Sequence, residues 1–331
     1  MKDSLNEISQ NIKKSKGFYS IDSNLNLTNE LLETCKDFLS GFDVDYSKAL
    51  IKKVSTNDGV FLIRFSLNGE AYVGKTFFEE VIGSKNTEEI VLKSANGKLK
   101  TGKYPTEELV SSNDDSIVVY DENAISLDEF SIEEINTIIP NVLISQAAFH
   151  QINRVPLKGS FLDLFEGMAK LNEDPEIYKD YSDSAKSLIG SCYEKLKGSS
   201  KVLCLGSYEL RNYKIQKTPE YKHRAVKFFN CWYCVKDYEA LDYAMMIEFA
   251  CGEGAERKNL YEALRYLQGD QVADLVESIQ SEVSELAALT YFLFSKSESR
   301  DKAMYEQLFV DKVRLSDDPK KFKKMVENMA G

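Results

Sequence analysis

An Asn-Gly pair at positions 68 and 69 separates two apolar runs, Val60 to Leu67 and Glu70 to Phe78. Both residues tolerate the positive φ angles of a tight two-residue turn, so the pair is the strongest short-range hairpin signal a sequence carries. The pattern predicts a β-hairpin over 60–78. Upstream, Thr28 stands where a helix N-cap belongs, Leu31, Leu32, Cys35, Phe38 and Leu39 form one apolar stripe, and Gly41 follows as a C-terminal glycine. A helix is expected there.

From Phe161 onward the apolar residues recur at helical spacing: Phe161, Leu164, Phe165 and Met168, then Leu188, Cys192 and Leu196, then Leu260, Leu264 and Leu267, then Val283, Leu286, Leu289, Phe292 and Leu293. At 331 residues with 43% hydrophobic and 29% charged side chains and only 6 prolines, the chain can bury a substantial core and is neither low-complexity nor wholly disordered. The expected fold is mainly α and two-lobed. An N-terminal arm (1–16) precedes a mixed N-terminal lobe (17–155), and Pro156, Lys158 and Gly159 form the joint to an all-helical C-terminal lobe (156–315). Residues 316–331 form a C-terminal arm. Leu5, Ile8 and Ile12 in the first arm and Phe322, Met325 and Val326 in the last lie on amphipathic helical faces suited to docking, and are the candidate oligomerisation residues.

The first residues lack a signal-length apolar run and carry acids that a transit peptide avoids, which predicts a cytoplasmic protein. The longest uncharged stretch, Ile135 to Asn153, holds Pro140, His150 and several amides, so no membrane association is expected. Six irregularly spaced cysteines read as reduced thiols.

Gly69 to Thr76, G-E-A-Y-V-G-K-T, satisfies the P-loop pattern, in which backbone amides and a lysine hold phosphates. Asp121, after the apolar run Ile117 to Tyr120, would then hold Mg²⁺. The hairpin competes for the same residues, and Tyr72 is bulky for a phosphate-wrapping loop. A P-loop NTPase using Lys75, Thr76 and Asp121 therefore stands as the alternative. Cys231-Trp232-Tyr233-Cys234 lacks further zinc ligands and reads as a buried aromatic helix. With two histidines and no G-x-S-x-G or H-E-x-x-H pattern, the residues call for no catalytic site, metal or cofactor.

Charge is sharply segregated. Lys195 to Lys227 carries nine basic residues against two acids, +7, inside a chain of net −11, which leaves −18 elsewhere. Between Tyr104 and Asn153 there are ten acids and no lysine. Cations interleaved with Tyr208, Tyr213 and Tyr221 suit single-stranded nucleic acid, which needs phosphate neutralisation and base stacking. The candidate RNA-binding residues are Lys195, Lys197, Lys201, Tyr208, Arg211, Tyr213, Lys214, Lys217, Lys222, Arg224 and Lys227, with Lys52, Lys53, Arg64 and Arg154 supplying the opposite wall. A solvated basic surface over core aromatics is the bland alternative.

Three short blocks, N-V-L-I-S at 141–145, N-R-V at 153–155 and G-S-Y-E-L at 206–210, resemble those of nucleoproteins from segmented negative-strand plant RNA viruses, the tospovirus and emaravirus group. Ser207 interrupts the third block. The resemblance implies a non-enzymatic protein of the virion and host cytoplasm. It would encapsidate single-stranded RNA between two helical lobes, self-assemble through its arms and meet a viral polymerase. A helical interaction module, with the acidic 104–153 block facing a basic partner, is the second alternative.

Overall fold

A computed structural model of the chain describes residues 23–296 and 307, apart from 26–28, 43–47, 58–59, 78–83, 97, 100–101, 104, 122–123, 153–154, 171–174, 209, 217–225 and 253–254. Both terminal arms, with Leu5, Ile8, Ile12, Phe322, Met325 and Val326, lie outside the described residues.

The N-terminal part is built on an antiparallel sheet. Its strands are β1 (Ser23–Leu25), β2 (Leu50–Asn57), β3 (Val60–Leu67), β4 (Glu70–Phe77), β7 (Leu109–Ser112) and β8 (Ser116–Tyr120), ordered β1-β2-β3-β4-β8-β7. Asn68 (φ 54°) and Gly69 (φ 88°) make the turn between β3 and β4, and the two strands pair from Leu67 opposite Glu70 to Val60 opposite Phe77. Alternation along the strands divides the faces. Phe61, Ile63, Phe65, Leu67 and Tyr72 pack with Cys35 and Leu39 of α1 (Asn29–Leu39). Gly74 lies under the same helix, where an added Cβ would meet the Phe38 ring at 3.4 Å. Val73, Ile117 and Val119 point to the opposite face, against Leu92 of α2 (Lys85–Ala95). A minor hairpin, β5 (Lys98–Leu99) with β6 (Gly102–Lys103), follows that helix.

Beyond β9 (Ala124–Ser126) the chain turns helical: α3 (Ile132–Phe149), α4 (Phe161–Lys170), α5 (Pro175–Lys195), α6 (Glu239–Gly252), α7 (Arg257–Gln268), α8 (Asp270–Ser278) and α9 (Gln280–Lys296). A complete capping box starts α3, with Ser131 and Glu134 each bonding the other's backbone N–H. Helix α9 packs on α5 and α6, and α3 packs on α7. The largest core cluster, which includes Ile138, Phe149, Trp232, Met246 and Leu289, fills the space between these helices. No described helix is long and apolar enough to cross a membrane.

The expectation of a mainly α fold with an all-helical C-terminal lobe is wrong. Residues 201–238 contain β10 (Lys201–Cys204), β11 (Tyr213–Gln216), β12 (Lys227–Phe228) and β13 (Val235–Tyr238), and the fold is mixed α/β. Strand β10 pairs with β13, while β11 sits between β12 and β9. At two to four residues each, these strands are too short to impose a period-two pattern on a window that helices dominate. The P-loop alternative also falls. Gly69 to Thr76 is a turn and a paired strand, with no helix N-terminus to receive phosphates. Cys231-Trp232-Tyr233 forms a buried 3-10 turn rather than a helix.

Candidate active site

Lys75 lies on the face of β4 that looks toward α2, because it alternates in register with Val73. Ser84 caps helix α2, its hydroxyl accepting the Thr87 N–H at 2.9 Å, and the helix buries Glu88, Val91, Leu92 and Ala95 as one stripe. That stripe sets Glu88 over Lys75, with Nζ to Oε1 at 2.7 Å. A second carboxylate, Glu107, arrives from the segment before β7 and also accepts from Lys75 Nζ. The Trp232 ring closes the pocket, its centroid 5.2 Å from Nζ.

All three charged side chains are at most 2% exposed. Burial pushes the Glu88 carboxyl up to about 7; Lys75 opposes the shift and the Glu107 charge adds to it. Burial disfavours the charge on Lys75, but Glu107 and Glu88 hold its pKa above the ordinary lysine range. An ammonium has three N–H groups, and two of them go to the carboxylates.

A second cluster is joined to this one through Trp232, two residues after Asn230. The chain leaves β10 through Leu205, Gly206, Ser207 and Tyr208, makes a 3-10 turn at Leu210–Asn212 and enters β11. Gly206 adopts φ +71°, and a Cβ there would stand 2.0 Å from the Tyr233 carbonyl oxygen, so only glycine fits. Pairing of β11 with β12 sets Tyr213 opposite Phe228, and the Phe229 N–H donates to the Asn212 carbonyl at 2.9 Å. This register brings Asn230 beside Asn212 although they are eighteen residues apart. The Asn230 amide donates to Asn212 Oδ1 at 2.5 Å, and Asn212 Nδ2 donates to Ser207 Oγ at 2.6 Å. All three are buried. Asn230 takes a left-handed conformation (φ 62°, ψ 48°), which asparagine tolerates better than most residues.

Asp242 on α6 fixes this loop from below. It is fully buried and accepts hydrogen bonds from the Leu205 N–H at 2.9 Å, the Tyr208 hydroxyl, the Gln146 amide and His150 Nε2. Burial opposes the charged form of His150, yet its bonds to Asp242 and Glu239 raise the pKa above the usual histidine value.

Two further cations approach. Arg64 pairs across the sheet with Val73 and so shares the face that carries Lys75. Lys214, half-buried on β11, sits with Nζ 3.5 Å from the Phe229 ring centroid. Its pKa is pulled down to about 8, first by burial and then by Arg64, while Glu107 and Asp121 oppose the shift.

The residues singled out from sequence do not line one RNA groove. Tyr208 and Tyr213 are buried core rings with no face free for a base. Lys195 is held by the Ser278 carbonyl and by Glu282, while Lys201 lies over the rings of Tyr193 and Tyr238. Lys52 and Lys53 are exposed on β2, Lys197 is exposed after α5, and Lys227 is half-buried on β12. Arg211 lies in the 3-10 turn, and Arg154, Lys217, Lys222 and Arg224 lie outside the described residues. Glu107 is a partner of Lys75, so the acidic 104–153 stretch is not a single docking face. Asp121 follows β8, with its N–H bonded to the Ala71 carbonyl. Sequence reasoning missed Glu88, Glu107, Ser207, Asn212, Asn230 and Asp242.

No protein-family model matches the chain, and no curated protein sequence matches it. Solved structures do. An ethanolamine kinase from Plasmodium vivax is 12% identical with a TM-score of 0.59, over 92% of this chain and 94% of that one. The choline kinase LicA from Streptococcus pneumoniae is 15% identical with a TM-score of 0.59, over 91% and 99%. The aminoglycoside phosphotransferase APH(4)-Ia is 10% identical with a TM-score of 0.53, over 86% and 97%. These likenesses overturn the nucleoprotein reading. With it go the expectation of a non-enzymatic protein and two of the partners it implied, single-stranded RNA and a viral polymerase. Of the short blocks that suggested it, the first falls on the core helix α3 and the third begins in the Gly206 loop, while residues 153–154 of the second lie outside the described residues. The fold is the one these small-molecule kinases share.

Proposed function

We propose that the chain is a kinase-like protein that binds a nucleoside triphosphate against the sheet face carrying Lys75 and presents its terminal phosphate to a small-molecule acceptor. The buried Lys75–Glu88 pair carries this reading. Kinase folds place a strand lysine on the nucleotide phosphates and hold it with a glutamate from the following helix. Here β4 supplies the lysine and α2 the glutamate.

The loop after β10 supports the same reading. A kinase catalytic loop carries an aspartate five residues before an asparagine, and a further aspartate follows the next strand pair. This chain has Ser207, Asn212 five residues later, and Asn230 after β12. Lys75 would donate its remaining N–H to a phosphate oxygen once the Trp232 ring moves off Nζ, with Glu88 and Glu107 fixing the ammonium. Ser207 stands in the position of the catalytic base. A hydroxyl accepts protons poorly, so its contribution is to orient an acceptor hydroxyl by hydrogen bonding.

The test is a thermal-shift titration with ATP and GTP. Binding at a hundredfold excess over Kd stabilises the fold by about 2.7 kcal/mol, a readily measured rise in Tm. Lys75→Met in a Glu107→Gln background, which removes one of the two carboxylates left unpaired, is expected to abolish that rise. The absence of a shift with either nucleotide on the unaltered chain refutes the proposal.

A further inference from the structure

We infer that this site binds its nucleotide without a divalent cation, protein cations supplying the charge that a metal ion otherwise provides. The inference rests on the nucleotide-binding reading above and concerns how that site is charged.

Magnesium at phosphoryl-transfer sites is held by one or two carboxylates together with phosphate oxygens, because a small hard dication needs anionic oxygen donors. In kinases the metal ions are held by the catalytic-loop asparagine and by the aspartate after the next strand pair; here Asn212 keeps the first position, but the second holds neutral Asn230, and Ser207 adds no carboxylate. They are also committed to each other, Asn230 to Asn212 and Asn212 to Ser207, so the Asn212 oxygen is already an acceptor. Glu88 and Glu107 are bound to Lys75. Among the described residues no group of three or more His, Cys, Asp or Glu side chains could hold a metal ion. The donor set does not fit magnesium.

What the site has instead is lysine and arginine. Lys214 lies over the ring of Phe229, the residue before Asn230, and is close enough to Lys75, Arg64, Glu107 and Asp121 for all four to act on its charge. A cation therefore stands beside the asparagine pair, where kinases hold a metal. Burial and neighbouring cations depress Lys214, and a phosphate placed beside it relieves both the repulsion and the lost hydration.

Calorimetric titration of the full chain with ATP, once in EDTA and once in magnesium chloride, separates the possibilities. The expected result is a Kd in EDTA within about threefold of the magnesium value. Binding at least about tenfold tighter with magnesium overturns this inference and leaves the nucleotide reading standing. Binding in neither condition overturns both.

Asn230→Asp gives an independent arm. Aspartate also tolerates the left-handed backbone at 230, and Asn212 can turn its amide over to donate to the new carboxylate while accepting from Ser207. This variant is expected to acquire a magnesium preference of about tenfold, and Lys214→Gln to lose metal-free affinity by a similar factor. An unchanged metal-free Kd in Lys214→Gln overturns the assignment of the compensating charge.

Discussion

Glu107→Gln tests whether two carboxylates share one buried ammonium. In the unaltered chain Glu88 titrates at about 7, against an ordinary value of 4.5. Between those pH values the folded chain holds a proton that the unfolded chain has released, so stability falls as pH rises through the window and levels off above it. The shift corresponds to roughly 3 kcal/mol at 1.36 kcal/mol per unit. Burial is the largest cause, and Glu107 is the like charge that adds to it. Removing that charge is expected to recover about 1–2 kcal/mol of the loss. Glu107→Gln also replaces a charged hydrogen bond with a neutral one, a cost that does not depend on the protonation of Glu88. The diagnostic quantity is therefore the change in the stability difference between variant and parent from pH 5 to pH 8. Urea denaturation at matched ionic strength measures it, and the variant should gain about 1–2 kcal/mol on its parent over that interval. A difference that is flat with pH, or that moves against the variant, refutes the shared-ammonium reasoning.

Gly206→Ala should destabilise the fold by about 3 kcal/mol or more, since its Cβ would overlap the Tyr233 carbonyl at a left-handed position; a melting temperature within a degree of the parent counts against that loop geometry. Asp242→Asn puts an NH₂ where one oxygen accepts two hydrogen bonds, and should cost about 3–5 kcal/mol by urea denaturation. If its cost is below about 1 kcal/mol, Asp242 does not anchor the Gly206 loop.

Features set by neighbouring residues were legible in the sequence. Asn68-Gly69 lies at the β3–β4 turn, and the stripe from Leu31 to Leu39 lies on α1. What escaped depends on pairing between distant segments. Strands β10 to β13 come from four short runs, and only their registers bring Ser207, Asn212 and Asn230 together. Linear charge also misled. Within the basic stretch Lys195 turns to Glu282, Lys201 to two tyrosine rings and Lys214 to Phe229, so a net charge of +7 along the chain does not make one surface. The site itself was hidden for a chemical reason. A motif search keys on the aspartates of a catalytic loop, and at 207 and 230 this chain carries serine and asparagine. Lys75 drew notice only through a P-loop pattern that the paired strand excludes.

If the chain binds a nucleotide as proposed, the charges around Lys75 also predict how that binding responds to pH. Lys75, Arg64 and Lys214 stand against Glu88, Glu107 and Asp121, three cations to three carboxylates. Two further carboxylates at 207 and 230 would tip this set to a net −2, which a triphosphate could not enter without a dication to offset it. Neutral side chains at those positions therefore fit metal-free binding on electrostatic grounds as well as on ligand chemistry. The balance shifts when Glu88 takes a proton, which at a pKa of about 7 happens on the acid side of neutrality and leaves the site one unit positive. On the alkaline side Lys214 gives up its proton near pH 8 and leaves it one unit negative. Both changes have the same sign for an anionic ligand. ATP affinity should fall steadily from pH 6 to pH 9 in EDTA, by about tenfold or more if each titration contributes a modest 1 kcal/mol. Fluorescence titration with a nucleotide analogue across that range measures the slope. An affinity that is constant with pH, or that rises toward pH 9, would mean that neither Glu88 nor Lys214 faces the bound phosphates.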